Sequence, residues 1–196
     1  MSEDALPLPA PSSELLARLA TRRSTPAQGL AAPGPSPDQI RDILEIGART
    51  PDHGKLFPWR FVVLGPQTRA DIAARLDPFA DRQPDPKKAR AVLAKLTNPP
   101  VTILVISTPT PGHKVPVWEQ ELSAGAVCMN LSHAANALGF ATNWITDWYA
   151  YDPEALAMFG VGAGEKTAGF IHIGTAAEPP LERPRPDMAA KVTRLP

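Results

Sequence analysis

The longest predicted helix runs from Pro116 to Leu138, and it constrains the fold more than any other segment of the chain. Gly139 follows it, as is common where a helix ends. Its middle is rich in small residues, among them Ala124 and Gly125, and small side chains let another backbone approach closely. Such a helix is either the central helix of a core or a contact between the helices of two subunits. The pattern leaves both open.

The remaining elements define the fold class. Residues 101–106 are apolar on both faces and rich in β-branched side chains, which predicts a central strand. Further strands are predicted at 59–64, within 140–148 and at 168–173, and helices near 12–22, 37–50, 67–76, 86–96 and 153–159. Ser36 and Gln39 predict a capping box at the start of the second helix. Two helices precede the first strand, so a regular βαβ alternation is missing. The pattern predicts an α+β domain with a mixed or antiparallel sheet of about four to five strands flanked by helices.

Composition excludes several partners. The chain has 20 Lys and Arg against 20 Asp and Glu, and this zero net charge favours neither nucleic acid nor a membrane surface. No run of about 18 apolar residues could span a bilayer. The N-terminus is acidic and does not resemble a secretory signal, so we expect a cytoplasmic protein. The one cysteine, Cys128, lies in an apolar stretch and is predicted to be buried.

Proline occurs 24 times and concentrates in segments that we expect to be extended. Residues 1–11 are predicted to be a disordered, proline-rich leader. Residues 12–196 are predicted to form a single domain, and residues 178–186 an arm at its C-terminal end.

Two cationic segments are candidate binding sites. Arg22, Arg23 and Ser24 follow the first helix and could hold a phosphate through two guanidinium groups and a hydroxyl. The alternative is that the arginines complement the dipole of the helix C-terminus. Arg49 and His53 lie in a polar loop before the first strand and could donate to an anionic or carbonyl-rich ligand. The alternative there is a solvated loop in which His53 bonds to its own backbone.

Other motifs give weaker evidence for a functional site. The aromatic residues of segment 143–149 could flank a planar ring or fill the core. Residues 160–167 resemble both a dinucleotide loop and a P-loop, but Glu165 stands where a P-loop needs glycine, and the segment precedes a strand instead of following one. We therefore predict a turn. The histidines are scattered and neither H-E-x-x-H nor paired cysteines occur, so no metal site is predicted.

The order of these segments resembles the nitroreductase superfamily, and in particular its small NAD(P)H nitroreductases. The resemblance covers nearly the whole chain from about Ser12, and no single motif in it is specific. It rests on five segments in the family's order: Arg22-Arg23-Ser24; Ala48 to His53 with Pro58-Trp59; Trp118 to Glu121 with Ser123 to Ala126; Leu138-Gly139-Phe140; and Gly169 to Thr175.

The resemblance implies an intertwined homodimer with two FMN sites, each built from both subunits. It implies that the phosphate and ribityl end is held by Arg22, Arg23 and Ser24, that Arg49 and His53 approach the flavin from the other subunit, and that Trp144, Ile145 and Thr146 contact the flavin. Arg183 and Arg185 match a C-terminal basic pair that lies near the phosphate in some members. The family also implies that no side chain acts as a covalent nucleophile or an obligatory acid or base.

The implied activity is that of an FMN-dependent NAD(P)H oxidoreductase, with ping-pong hydride transfer from nicotinamide through flavin N5 to a nitroaromatic, a quinone or a similar acceptor. Ile145 and Asp147 depart from close relatives, which often have arginine and glycine there, and Thr25-Pro26 also departs from the pattern. Asp147 would change the charge beside the flavin. An alternative is therefore a flavin-binding module without turnover, and a third hypothesis is a flavin-free dimeric scaffold. The acceptor, the flavin potential and the choice between NADH and NADPH stay open.

Overall fold

The structure, a computed structural model, describes residues 6–195, so the first five residues of the predicted leader lie outside it. Its contacts divide the chain into two units. The larger comprises Ser24–Pro179, and the smaller combines the segment before Ser24 with the segment from Pro180 onward. The smaller unit contains helix α1, Ser13–Thr21, which Ser12 caps. Residues 6–12 are exposed and without helix or strand.

The larger unit is built on one five-stranded sheet whose pairs are all antiparallel. The longest strand, Lys166–Ala176, pairs with the strand Val101–Ser107 over residues 166–173 and with the strand Ala141–Ile145 over residues 170–174, so these two strands lie on opposite sides of it. The prediction of a mixed or antiparallel sheet is thus resolved as antiparallel. The strands are β1 Leu30–Ala31, β2 Trp59–Leu64, β3 Val101–Ser107, β4 Ala141–Ile145 and β5 Lys166–Ala176.

Local signals set the helix boundaries. Helix α2, Pro37–Gly47, begins with the predicted capping box, in which Ser36 and Gln39 bond to each other's backbone N–H groups. The helix predicted at 86–96 is instead two short helices, because the backbone tightens to i→i+3 bonds at Leu93 and Leu96 and both leucines reach the core. The helices of this unit are α2 Pro37–Gly47, α3 Pro66–Leu76, α4 Pro86–Ala91, α5 Ala94–Thr97, α6 Val117–Ala137 and α7 Pro153–Met158.

The side chains on the two faces of β3 are buried in two different hydrophobic clusters, which explains why its sequence is apolar throughout. Ile103 and Val105 pack with Leu131 of α6. Leu104 and Ile106 pack with α3, α5 and an aromatic cluster on the other face. Helix α6 therefore satisfies the prediction of a central core helix. The aromatic cluster joins Tyr149, Phe159 and Phe170, with ring centroids 5.0–5.9 Å apart.

A buried cation that the sequence did not reveal joins several of these elements. The guanidinium group of Arg69, in α3, is fully buried and donates hydrogen bonds to four carbonyl oxygens. The bonds are 2.5–3.1 Å long, and the acceptors belong to Leu64, Leu96, Pro99 and Pro100. The acceptors lie at the end of β2, in α5 and in the loop that leads into β3, so Arg69 fixes the chain around β3. Within residues 6–195, no helix is long and apolar enough to cross a membrane.

Candidate functional site

The segment that follows the first arginine pair is bound to β4. Thr25 is buried, its N–H donates to Thr142 O at 3.0 Å, and its carbonyl accepts from Asn143 Nδ2 at 2.7 Å. Ser24 therefore lies one residue from these bonds, beside the strand that contains Trp144 and Ile145 and that Thr146 follows. The structure brings together two predicted site segments that are about 120 residues apart in sequence.

Gly169 leaves room for the Trp144 indole, which packs over it. The indole Nε1 donates to Ala168 O at 3.1 Å. A Cβ atom on Gly169 would lie 2.0 Å from that nitrogen, so only glycine allows this contact. A Cβ atom on Gly125 of α6 would lie 4.0 Å from the other end of the indole. Trp144 is still 37% exposed, and it presents a fixed aromatic side chain at the exit of β4.

Asp147, one of the residues that depart from the family pattern, has a carboxylate that is paired with a lysine. Its Oδ2 accepts from Lys95 Nζ at 2.8 Å, and its Oδ1 accepts from Trp148 N–H at 2.9 Å. The two charges offset each other, so the carboxylate adds little net charge at the exit of β4. Thr146 Oγ1 is hydrogen-bonded to the exposed Tyr151 hydroxyl at 2.8 Å. Lys95 was missed because its partner is 52 residues away in sequence.

The loop that carries His53 is tied to the start of α6. The imidazole Nδ1 lies 2.8 Å from Glu119 Oε2, so the alternative in which His53 bonds to its own backbone is wrong. Ser123 Oγ donates to Pro51 O and accepts from Trp59 Nε1. Between these anchors the loop holds its backbone in a left-handed region that non-glycine residues rarely adopt: Lys55 has φ 56° and Phe57 has φ 47°.

Arg49 lies elsewhere on the same unit. It is exposed and lines a groove of about 340 Å³ with Asp42, Glu45 and Leu138, at the end of α2 and the end of α6. Arg49 thus lies where α2 and α6 end, and His53 lies at the start of α6. Trp144 to Thr146, in contrast, lie at the C-terminal end of β4. The predicted contact of Arg49 and His53 with the flavin of a partner subunit stays a prediction.

In the smaller unit, two of the predicted arginines converge on one carboxylate. Arg185 donates to Glu182 Oε1 at 2.9 Å, and Arg23 Nε lies 3.8 Å from the same oxygen while donating to Leu181 O. The Arg183 N–H bond and the Arg185 charge hold the pKa of Glu182 below its ordinary value. This donor set can hold an anionic oxygen. Arg22, half-buried, is the residue that caps α1.

The glycine-rich segment before β5 is a turn, as predicted. Gly160 and Gly164 have positive φ angles, and Glu165 accepts from the N–H of Gly162. Glu165 also pairs with Arg60 at 2.6 Å, and this hydrogen bond lowers its pKa to about 2. The segment shows none of the strand–loop–helix order of a nucleotide motif.

Cys128 is fully buried on α6, as predicted, and burial raises the pKa of its thiol to about 12. A thiol in this environment is protonated and unreactive at neutral pH. Among the described residues, no group of three or more His, Cys, Asp and Glu side chains could hold a metal ion.

Comparison with known proteins identifies the family. The model of the nitroreductase family matches residues 19–175, about four-fifths of the chain. The chain belongs to the nitroreductase family. A member from Escherichia coli K12, "Putative NAD(P)H nitroreductase YdjA", is 36% identical over 166 residues, which are 83% of this chain and 88% of that protein. A protein from Haemophilus influenzae with the name "Putative NAD(P)H nitroreductase" is 32% identical over 168 residues, which are 84% of this chain and 90% of that protein.

Solved structures of the family share the fold. A nitroreductase-like protein from Bacillus cereus superposes with a TM-score of 0.80 at 18% identity, over 96% of this chain and 99% of its own. A nitroreductase from Bacteroides fragilis that contains bound FMN gives 0.72 at 23% identity, over 94% of this chain and all of its own. At these identities the likeness concerns the fold. The predicted fold class and family are thereby confirmed.

Proposed function

We propose that this member of the nitroreductase family is an FMN-dependent NAD(P)H oxidoreductase that works as a homodimer. Three findings support the proposal: the family membership, the NAD(P)H nitroreductase name of relatives that are 32–36% identical, and FMN in a protein of the same fold. The observation that carries it is the bonding of Thr25 to Thr142 and Asn143, because it brings Ser24 to the strand that contains Trp144 and Ile145.

The donors on the chain suit FMN. A phosphate dianion needs guanidinium and hydroxyl donors, and we assign it Arg22, Arg23, Ser24 and Arg185. Arg23 and Arg185 already converge on a carboxylate oxygen, which supports their ability to bind an anion. The isoalloxazine ring needs an apolar, planar neighbour, and we assign it the segment Trp144 to Thr146. Arg49 and His53 would complete the site of the partner subunit.

When bound, FMN supplies hydride transfer between a nicotinamide and an acceptor. For a nitro acceptor the overall reaction consumes NAD(P)H, one proton and the nitro group, and yields NAD(P)⁺, a nitroso group and water. The residues of this chain would bind and orient the FMN and its substrates. Glu119 fixes the ring of His53, and the Lys95–Asp147 pair keeps the exit of β4 close to neutral. We assign no nucleophile, in keeping with the buried thiol of Cys128.

A flavin-binding module without turnover is the second candidate, because Ile145 and Asp147 depart from the family pattern. Pairing of Asp147 with Lys95 weakens that argument, since the carboxylate no longer adds an unbalanced charge.

Anaerobic absorbance spectroscopy separates the candidates. The purified protein, supplied with FMN, is mixed with NADH or with NADPH, and free FMN serves as the control. We expect flavin absorbance near 450 nm to bleach within seconds and to return when a nitro compound or a quinone is added. Bound flavin that never bleaches would support the binding module and contradict the oxidoreductase. Failure to bind FMN would contradict both candidates. Sedimentation at nanomolar concentration tests the dimer.

A further inference from the structure

A cavity of about 470 Å³ opens beside the exit of β4, a size typical of small-molecule sites. One wall is formed by Thr146, Asp147 and Trp148. The other is formed by α4, α5 and the loop before them, including Lys88 and Val92. Thr146 belongs both to this cavity and to the segment that we assign to the flavin. A molecule in the cavity would therefore lie next to the flavin.

Bonds between the two walls hold the cavity open. Trp148 Nε1 donates to Ala89 O at 3.0 Å, and Lys95 Nζ donates to Asp147 Oδ2 at 2.8 Å. These bonds link α4 and α5 to the chain after β4 at two points. The cavity is preorganised, so a ligand that enters it need not order its walls.

One cation at the cavity has no ion-pair partner. Lys95 is paired with Asp147, and Asp85, which also lines the cavity, uses its carboxylate to cap α4 by accepting from the backbone N–H of Lys88. The Lys88 ammonium group, in contrast, makes no ion pair with any carboxylate of the described residues. Val92 and Trp148 supply apolar surface in the same cavity. A cation beside an aromatic, apolar surface recognises a flat ring with an anionic substituent.

We infer that this cavity is the acceptor site and that it selects aromatic anions of one or two rings. The ring lies against Trp148 and Val92, and the carboxylate or similar group binds the Lys88 ammonium. Lys88 is thus a specificity-determining residue. This assignment rests on the proposed function, which puts the flavin beside Trp144 to Thr146 and makes the ligand an electron acceptor. Binding to the cavity can nevertheless be measured without any redox step.

Calorimetric titration of the FMN-loaded protein with benzoate tests binding, since benzoate has the ring and the anion but no reducible group. We expect Lys88→Gln to weaken benzoate binding about tenfold, which corresponds to the loss of one charge-assisted hydrogen bond. Lys87→Gln is the matched control, because Lys87 is the exposed neighbour and does not line the cavity. Equal effects of the two variants, or no binding of benzoate to the unmodified protein, would overturn the inference.

Turnover of two matched acceptors gives an independent reading. The kcat/KM ratio of 4-nitrobenzoate to nitrobenzene should fall about tenfold in Lys88→Gln and further in Lys88→Glu. An unchanged ratio with normal flavin reduction would overturn the inference and leave the proposed function intact. If the protein bound no FMN, the proposed function would fail, and benzoate titration of the flavin-free protein would still test the cavity.

Discussion

Arg69 and Arg49 lie twenty positions apart in the sequence and show two opposite uses of the same side chain. Arg69 is fully buried, and four carbonyl oxygens accept its hydrogen bonds. Arg49 is exposed at the end of α2, in a shallow groove. Burying a charge costs free energy unless its donors are satisfied, so Arg69 serves the fold. An exposed guanidinium keeps its donors accessible to water and to a ligand, which is the property that a binding site needs.

Removing Arg69 should have the largest effect. In Arg69→Met, the carbonyl oxygens of Leu64, Leu96, Pro99 and Pro100 lose their donor inside the protein. We expect the free energy of unfolding to fall by about 4 kcal/mol in a urea titration. Arg75→Met, an exposed position on the same helix, should change it by less than about 0.5 kcal/mol. Similar small losses in both variants would mean that Arg69 does not hold the loops around β3.

A second effect should come from His172 on β5. Burial, with repulsion from Arg69 and Lys95, lowers its pKa from 6.5 to about 3. The folded state therefore resists protonation, and the stability that the neutral ring provides is complete above pH 6.5 and declines as the pH falls toward 3. Between pH 6.5 and pH 5 we expect a loss of about 2 kcal/mol in the free energy of unfolding.

His172→Gln is the test of this pH dependence, because glutamine does not titrate. The variant should lose the part of the slope between pH 6.5 and pH 5, whatever its stability at pH 7.5. A slope as steep as that of the unmodified protein would show that other groups are responsible.

The smallest effect on stability should come from Arg49→Ala. Because the side chain is exposed, we expect the free energy of unfolding to change by less than about 0.5 kcal/mol. Under the proposed function, the affinity for FMN should fall nevertheless. Arg41→Ala, which removes another exposed arginine of α2, should change neither quantity. A loss of stability comparable with that of Arg69→Met would contradict the claim that the exposed Arg49, unlike the buried Arg69, does not stabilise the fold.

Features that depend on local sequence could be predicted, whereas contacts between distant segments, such as those of Arg69, could not. The apolar run of β3, the capping box of α2 and the turn at Gly160–Gly164 are local patterns, and each predicted its element. The acceptors of Arg69 and the partner of Lys95 come from segments 5–52 residues away, and no local pattern marks such pairs. Strand β1 has only two residues and exists through its pairing with β5.

The site was predictable in parts. The order of its motifs indicated the family, and Trp144 was among the aromatic residues singled out. The sequence did not show why its indole fits there, because Gly169, which leaves room for it, belongs to a different strand, β5. The cavity beside Thr146 was also missed, since its two walls come from separate parts of the chain.

Titration of the flavin-free protein with FMN, followed by quenching of flavin fluorescence, tests the central claim most directly. We predict saturable binding at about micromolar concentration or below, weakened about tenfold or more in Arg23→Ala through loss of charge-assisted bonds to the phosphate. Arg18→Ala, one turn earlier on α1 and paired with Glu14, should bind FMN as the unmodified protein does. Equal affinities in all three proteins, or no binding at micromolar FMN, would contradict the account.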